Sequence, residues 1–151
     1  MSGDFETHKD NQPHKTYAKV DLDKYALFVD SVTSNPSKDY KSFLDSIEYL
    51  DGEGSNIQRL LTAAVGISAE GGEFMEIVKK MLFQGKPWND DNREHLIIEL
   101  GDIMWYVANA CIALNVEFDD VVRGNVKKLE KRYPGGSFSI EKSEKRKRGD
   151  R

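Results

Sequence analysis

The chain has 151 residues, 38% hydrophobic and 32% charged, and a formal net charge of −4. Such a length fits one domain of ordinary size, but the apolar fraction is lean for a monomer that must build a whole core by itself. A lone cysteine, Cys111, excludes an intrachain disulfide, and the start MSGDFETHKD is too polar for a signal peptide. No uninterrupted apolar stretch approaches the roughly 20 residues that a membrane span needs, so the expectation is a cytosolic protein with no membrane partner.

Charge is unevenly placed. Residues 142–151, KSEKRKRGDR, carry six basic and two acidic side chains, a local charge of +4 that leaves −8 on the rest. An acidic body repels a nucleic-acid backbone, so nucleic acid is not an expected partner, and any polyanion binding would fall to the tail. A charge run at a terminus is ordinarily a solvated end, and 139–151 is read as a basic disordered tail.

Residues 1–20 lack apolar periodicity and read as a disordered N-terminal tail. From Asp21 the pattern changes. Leu22, Tyr25, Ala26 and Val29 recur at helical spacing, and after the turn signal SNPS so do Tyr40, Phe43, Leu44 and Ile47. Two short helices follow from this. After the loop DGEGS, the segment 56–83 places Leu60, Leu61, Ala64, Ile67, Phe74, Ile77, Val78 and Met81 on a helical stripe. Gly66, Gly71 and Gly72 lie inside it and predict either a bend near Gly71 or close approach by another helix. QGKPW is a loop broken by Pro87, Asn89 or Asp90 can cap the next helix, expected over 91–114, and a last helix runs from about Asp119 to Tyr133, where Pro134, Gly135 and Gly136 stop it. The fold class is therefore all-α: one helical domain over residues 21–138, with a four-helix-bundle-type core, short N-terminal helices and completion by oligomerisation.

Two acidic pairs share one spacing: Glu70 with Glu73, and Glu99 with Asp102. On a helix, i and i+3 lie on one face a turn apart, so two such helices packed antiparallel aim four carboxylates at one point. Acidic pairs also abound on solvated faces, but Glu99 and Asp102 sit within LIIELGDIMWYV, where burying unpaired carboxylates costs several kcal/mol each. A cation is expected there. Oxygen donors without cysteine or histidine favour Mg²⁺, with Mn²⁺ as a substitute, over zinc. A di-iron bundle would instead need Glu-x-x-His pairs, which the chain lacks. Mg²⁺ commonly shares its shell with substrate phosphates, so the pattern points to phosphoryl chemistry.

The stripe extends through His95, Glu99, Asp102, Tyr106 and Asn109. Tyr106 reads either as a buttress or sugar contact or as a core tyrosine, and His95 as a structural or rim residue. Glu76 is a fifth ligand or a solvated side chain. Trp88 stacks on a base or belongs to an interface. On the last helix Asn125, Lys128 and Arg132 share one face, as a triphosphate clamp requires, although basic residues there also suit the helix macrodipole.

Glu70-x-x-Glu73, 25 intervening residues, Glu99-x-x-Asp102, then Asn125-Val-Lys-Lys128-Leu and Arg132-Tyr133-Pro134 together resemble the MazG family of all-α nucleotide pyrophosphohydrolases, over roughly residues 56–138. FQGKPWNDDN and the single compact domain look most like the versions carried by bacterial viruses, whose compartment would be the host cytoplasm. The resemblance implies hydrolysis of a nucleoside triphosphate to monophosphate and pyrophosphate. It also implies Mg²⁺ on Glu70, Glu73, Glu99 and Asp102, and substrate contacts from Asn125, Lys128 and Arg132, with dimers or tetramers completing the bundle. Many relatives begin the first motif with two adjacent acidic residues, whereas Ala69 precedes Glu70 here, which puts in doubt any mechanism needing a further carboxylate at that point. Two readings from other classes compete: a nucleic-acid-associated module using the basic tail, and a helical metal-binding protein without catalysis. Within the enzyme class, a deoxyuridine triphosphatase or a phosphoribosyl-ATP pyrophosphatase shares the same bundle and metal site.

Overall fold

The computed structural model describes residues 19–144, which are all-helical; no strand forms among the described residues. The two tails expected at 1–20 and 139–151 lie mostly outside the described residues, and the part at 140–144 is a short helix. The chain divides into two compact units, Met1–Phe43 and Leu44–Arg151.

In the first unit, α1 (Leu22–Val32) begins where the Asp21 carboxylate accepts the Lys24 N–H at 3.1 Å, satisfying one of the free donors of the first turn. It ends at Thr33, and Pro36 opens a short 3-10 turn over Asn35–Ser37. The Lys38 ammonium returns to the last turn of α1, donating to the Asp30 carbonyl at 2.7 Å. Asp39 accepts the Ser42 N–H at 2.7 Å, the capping contact for α2 (Tyr40–Gly52), and the backbone and side-chain hydrogen bonds from Ser42 hold its carboxyl below the ordinary aspartate range.

The second unit is dominated by α3 (Ile57–Phe83) and α4 (Asp90–Leu114), which form its extensively packed helix pair. The Asn56 side chain caps α3 by accepting from the Arg59 N–H at 3.3 Å. The helix runs unbroken through Gly71 and Gly72 to Phe83, and of the two alternatives expected for its glycines the close approach is found, at Gly66. Gly85, at φ +69°, supplies the left-handed turn that sends the chain back. Asn89 caps α4 through the Asn92 N–H at 2.9 Å, and the buried Asn92 amide donates to the Pro87 carbonyl at 2.7 Å, fastening the loop to the helix it precedes. Asn115 closes α4 in the left-handed conformation, its N–H reaching the Cys111 and Ile112 carbonyls. α5 (Phe118–Arg132) stops before Pro134, and α6 (Ile140–Glu144) begins at Ser139, whose hydroxyl accepts the Lys142 N–H at 3.4 Å.

By length and composition α4 is apolar enough to cross a membrane, a property that counting uninterrupted apolar runs overlooked. A helix apolar on all sides equally suits the centre of a helical core, and α4 carries Glu99 and Asp102 at its middle, where ionised groups are costly in lipid. One of its faces packs on α3. Ile97, Ile98, Leu100, Met104, Trp105, Ile112 and Leu114 remain exposed, and the buried apolar side chains among the described residues are Ala63, Ile77 and Cys111.

Candidate metal centre

The α3–α4 seam is antiparallel. Glu70 and Glu73 lie opposite Glu99, Gly66 opposite Tyr106, and Arg59 opposite Asn109, so position falls on one helix as it rises on the other. This orientation follows from the six-residue connection over 84–89, which allows two long helices only an antiparallel return.

At the middle of the seam, Glu70, Glu73 and Glu99 each bring a carboxylate oxygen to within 4.8 Å of the others. The three differ in environment: Glu99 is buried at 5% exposure, Glu70 is half-buried and Glu73 is exposed. Asp102 is exposed and stands outside this trio, yet its charge reaches it. The Glu70 carboxyl is pushed above the ordinary glutamate value, first by partial withdrawal from water and then by the charges of Glu73, Asp102 and Glu99. Hard, anionic oxygens gathered from two helices make a donor set suited to a small divalent cation.

Around the trio the other candidates separate. Glu76 forms an ion pair with Lys80 at 2.9 Å, and that bond, with the charges of Lys80 and Lys79, holds its carboxyl below the usual range; it belongs to a solvated i, i+4 pair and not to the cluster. His95 places Nε2 3.0 Å from Oε1 of Glu99. Trp88 is exposed at 69%. Tyr106 lies against Gly66 so closely that any Cβ at that position would overlap its ring, and Trp105 meets it edge-on at 4.8 Å between centroids. The glycine of α3 that the seam requires is therefore Gly66.

One turn further along, the Arg59 guanidinium donates to the Asn109 side-chain oxygen at 3.4 Å, beside a polar groove of about 330 Å³ lined by Asn56, Gln58, Arg59, Thr62 and Asn109. Sequence reasoning placed Asn109 on the stripe but missed Arg59. The available signal was its position seven residues before Gly66, on the same helix face. Asn125, Lys128 and Arg132 sit on α5, with Asn125 exposed and Lys128 and Arg132 half-buried. α5 lies outside the extensively packed α3–α4 seam, which is itself the helix pair expected at the centre of a bundle core.

The profile of the MazG nucleotide pyrophosphohydrolase domain matches residues 58–137, which contain both acidic pairs and the basic face of α5. The chain is also similar to "Gene 37 protein" of Mycobacterium phage L5, with 36% identity over 86 residues that make up 56% of this chain and 75% of that protein. No solved structure matches the chain. With the domain profile covering more than half of its length and a viral relative aligned over most of its own, the chain belongs to the MazG nucleotide pyrophosphohydrolase domain family.

Proposed function

We propose that the protein hydrolyses nucleoside triphosphates, ribo- or deoxy-, to the monophosphate and pyrophosphate in a Mg²⁺-dependent reaction, by attack of water at the α-phosphorus. The observation that carries this reading is the convergence of Glu70, Glu73 and Glu99 from two antiparallel helices to within 4.8 Å, inside a MazG domain. Glu70, Glu73, Glu99 and Asp102 would hold the ion, with Mn²⁺ as a substitute. When bound, Mg²⁺ supplies charge neutralisation on the phosphates and acidifies a coordinated water.

The remaining work falls to the chain's own groups. Glu70 or Glu73, the less buried members of the trio, orients the attacking water and accepts its proton on a carboxylate oxygen. Tyr106, fixed over Gly66, supports the substrate beside the carboxylates, and Asn125, Lys128 and Arg132 contact its phosphates through charge-assisted hydrogen bonds. Assembly as a homo-dimer or tetramer covers the exposed apolar side of α4 and completes the bundle around the site. The setting of this reaction is the cytoplasm, that of the host if the chain is viral.

Incubating the full chain with Mg²⁺ and a panel of ribo- and deoxynucleoside triphosphates in ¹⁸O-water tests the proposal. The expected products are pyrophosphate and a monophosphate carrying the label. Stepwise release of orthophosphate, or tripolyphosphate with free nucleoside, would overturn it.

A further inference from the structure

We propose that His95 is a positioning residue that holds the Glu99 carboxylate in its metal-binding orientation, an inference that rests on reading the acidic trio as a metal centre. Glu99 is the most buried carboxylate of that trio, and the like-charged carboxylates of Glu70 and Glu73 each bring an oxygen to within 4.8 Å of one of its own. Repulsion of that kind favours rotamers that turn the carboxylate away from the cluster unless a donor restrains it. The restraint comes from one turn earlier on the same helix, where His95 Nε2 lies 3.0 Å from Oε1 of Glu99. Among the described residues this is the side-chain contact found for the Glu99 carboxylate.

The imidazole can do this without carrying charge. An imidazole protonated at Nε2 has a donor to offer the nearby carboxylate oxygen and leaves the other available to an ion. Carboxylate ligands are themselves commonly hydrogen-bonded from outside the coordination shell, and the loss of such a partner weakens metal affinity. A packing role explains the contact less well, because the His95 side chain is 52% exposed and the Glu99 side chain only 7%. The histidine reaches inward from the rim toward a group it does not cover.

The test is direct Mn²⁺ binding to the nucleotide-free full chain, followed by electron paramagnetic resonance, for the wild type and the variants His95→Ala, His95→Asn, His95→Gln and Glu99→Gln. Glutamine carries its amide nitrogen about where histidine carries Nε2, whereas asparagine ends near the position of Nδ1 and falls short. We expect the alanine and asparagine variants to bind Mn²⁺ about 10- to 100-fold more weakly. Glutamine should restore affinity close to wild type, with helicity in chelator unchanged throughout. Equal binding by wild type and His95→Ala, or equal loss in the glutamine and asparagine variants, overturns the positioning role; if Glu99→Gln still abolishes binding, the metal reading stands alone. Loss of helicity in the alanine and asparagine variants makes the contact a folding contact and also overturns the proposal. Absence of Mn²⁺ binding by the wild type overturns the metal reading and this inference together.

Discussion

Glu70 is where partial desolvation and like charge act together, and both push its carboxyl upward. A carboxyl whose folded-state value is raised contributes stability that is complete below its unfolded value, near 4.5, and that is lost as pH climbs through the folded value. In chelator, the thermal midpoint of Glu70→Gln should therefore fall less between pH 4 and neutrality than that of the wild type. The difference between the two curves isolates this group from Asp39 and Glu76, whose lowered values act in the opposite sense. The same variant loses an anionic ligand while keeping its shape, so turnover with Mg²⁺ should drop at least about a hundredfold with helicity intact. Parallel pH curves together with near-normal turnover would remove Glu70 from the site.

At the scale of the element, the proposed site gives the α3–α4 hairpin and α5 separable duties. The hairpin gathers the carboxylates, while α5 offers Lys128 and Arg132 a turn apart, both half-buried, near the helix C-terminus where positive charge is also favoured by the macrodipole. Lys128→Ala and Arg132→Ala should each weaken triphosphate turnover by about tenfold or more, in line with the loss of one charge-assisted contact to the polyanion. Deleting residues 142–151 should leave turnover nearly unchanged. A truncated chain without activity beside a normal Lys128→Ala variant would move the phosphate contact from α5 to the basic tail. Both readings are open to steady-state kinetics on the same triphosphate.

For the whole molecule, the decisive fact is how little apolar side chain the described residues bury. Ile98, Trp105 and Ile112 recur at seven-residue spacing on α4 and are 55%, 58% and 60% exposed, a line on which a further helix can pack. Exposed apolar surface of this extent on a central helix suits an interface, and we propose a second copy of the chain as its occupant. Sedimentation equilibrium should find a dimer or tetramer, and Ile112→Glu, far along α4 from the carboxylates, should shift it toward monomer and lower thermal stability. A monomeric wild type would overturn the homo-oligomer.

Much of this was determined by the sequence alone. Helical periodicity, the Asn89 cap, Pro87 and the Pro134-Gly135-Gly136 stop set the three longest helices to within a residue or two, because those signals act over one or two turns, whereas the short α6 lay in what read as a disordered tail. The i, i+3 spacing likewise put Glu70 with Glu73 and Glu99 with Asp102, since side chains a turn apart share a face wherever the helix is placed. Tertiary structure decided what depends on the register between helices. It selected Gly66, and not Gly71 or Gly72, as the point of close approach. It drew Glu99 into the trio while leaving Asp102 at its margin, and set Arg59 against Asn109. It also gave Glu76 to Lys80 and His95 to Glu99, choices between neighbours at equal spacing that only the packed positions of the side chains resolve.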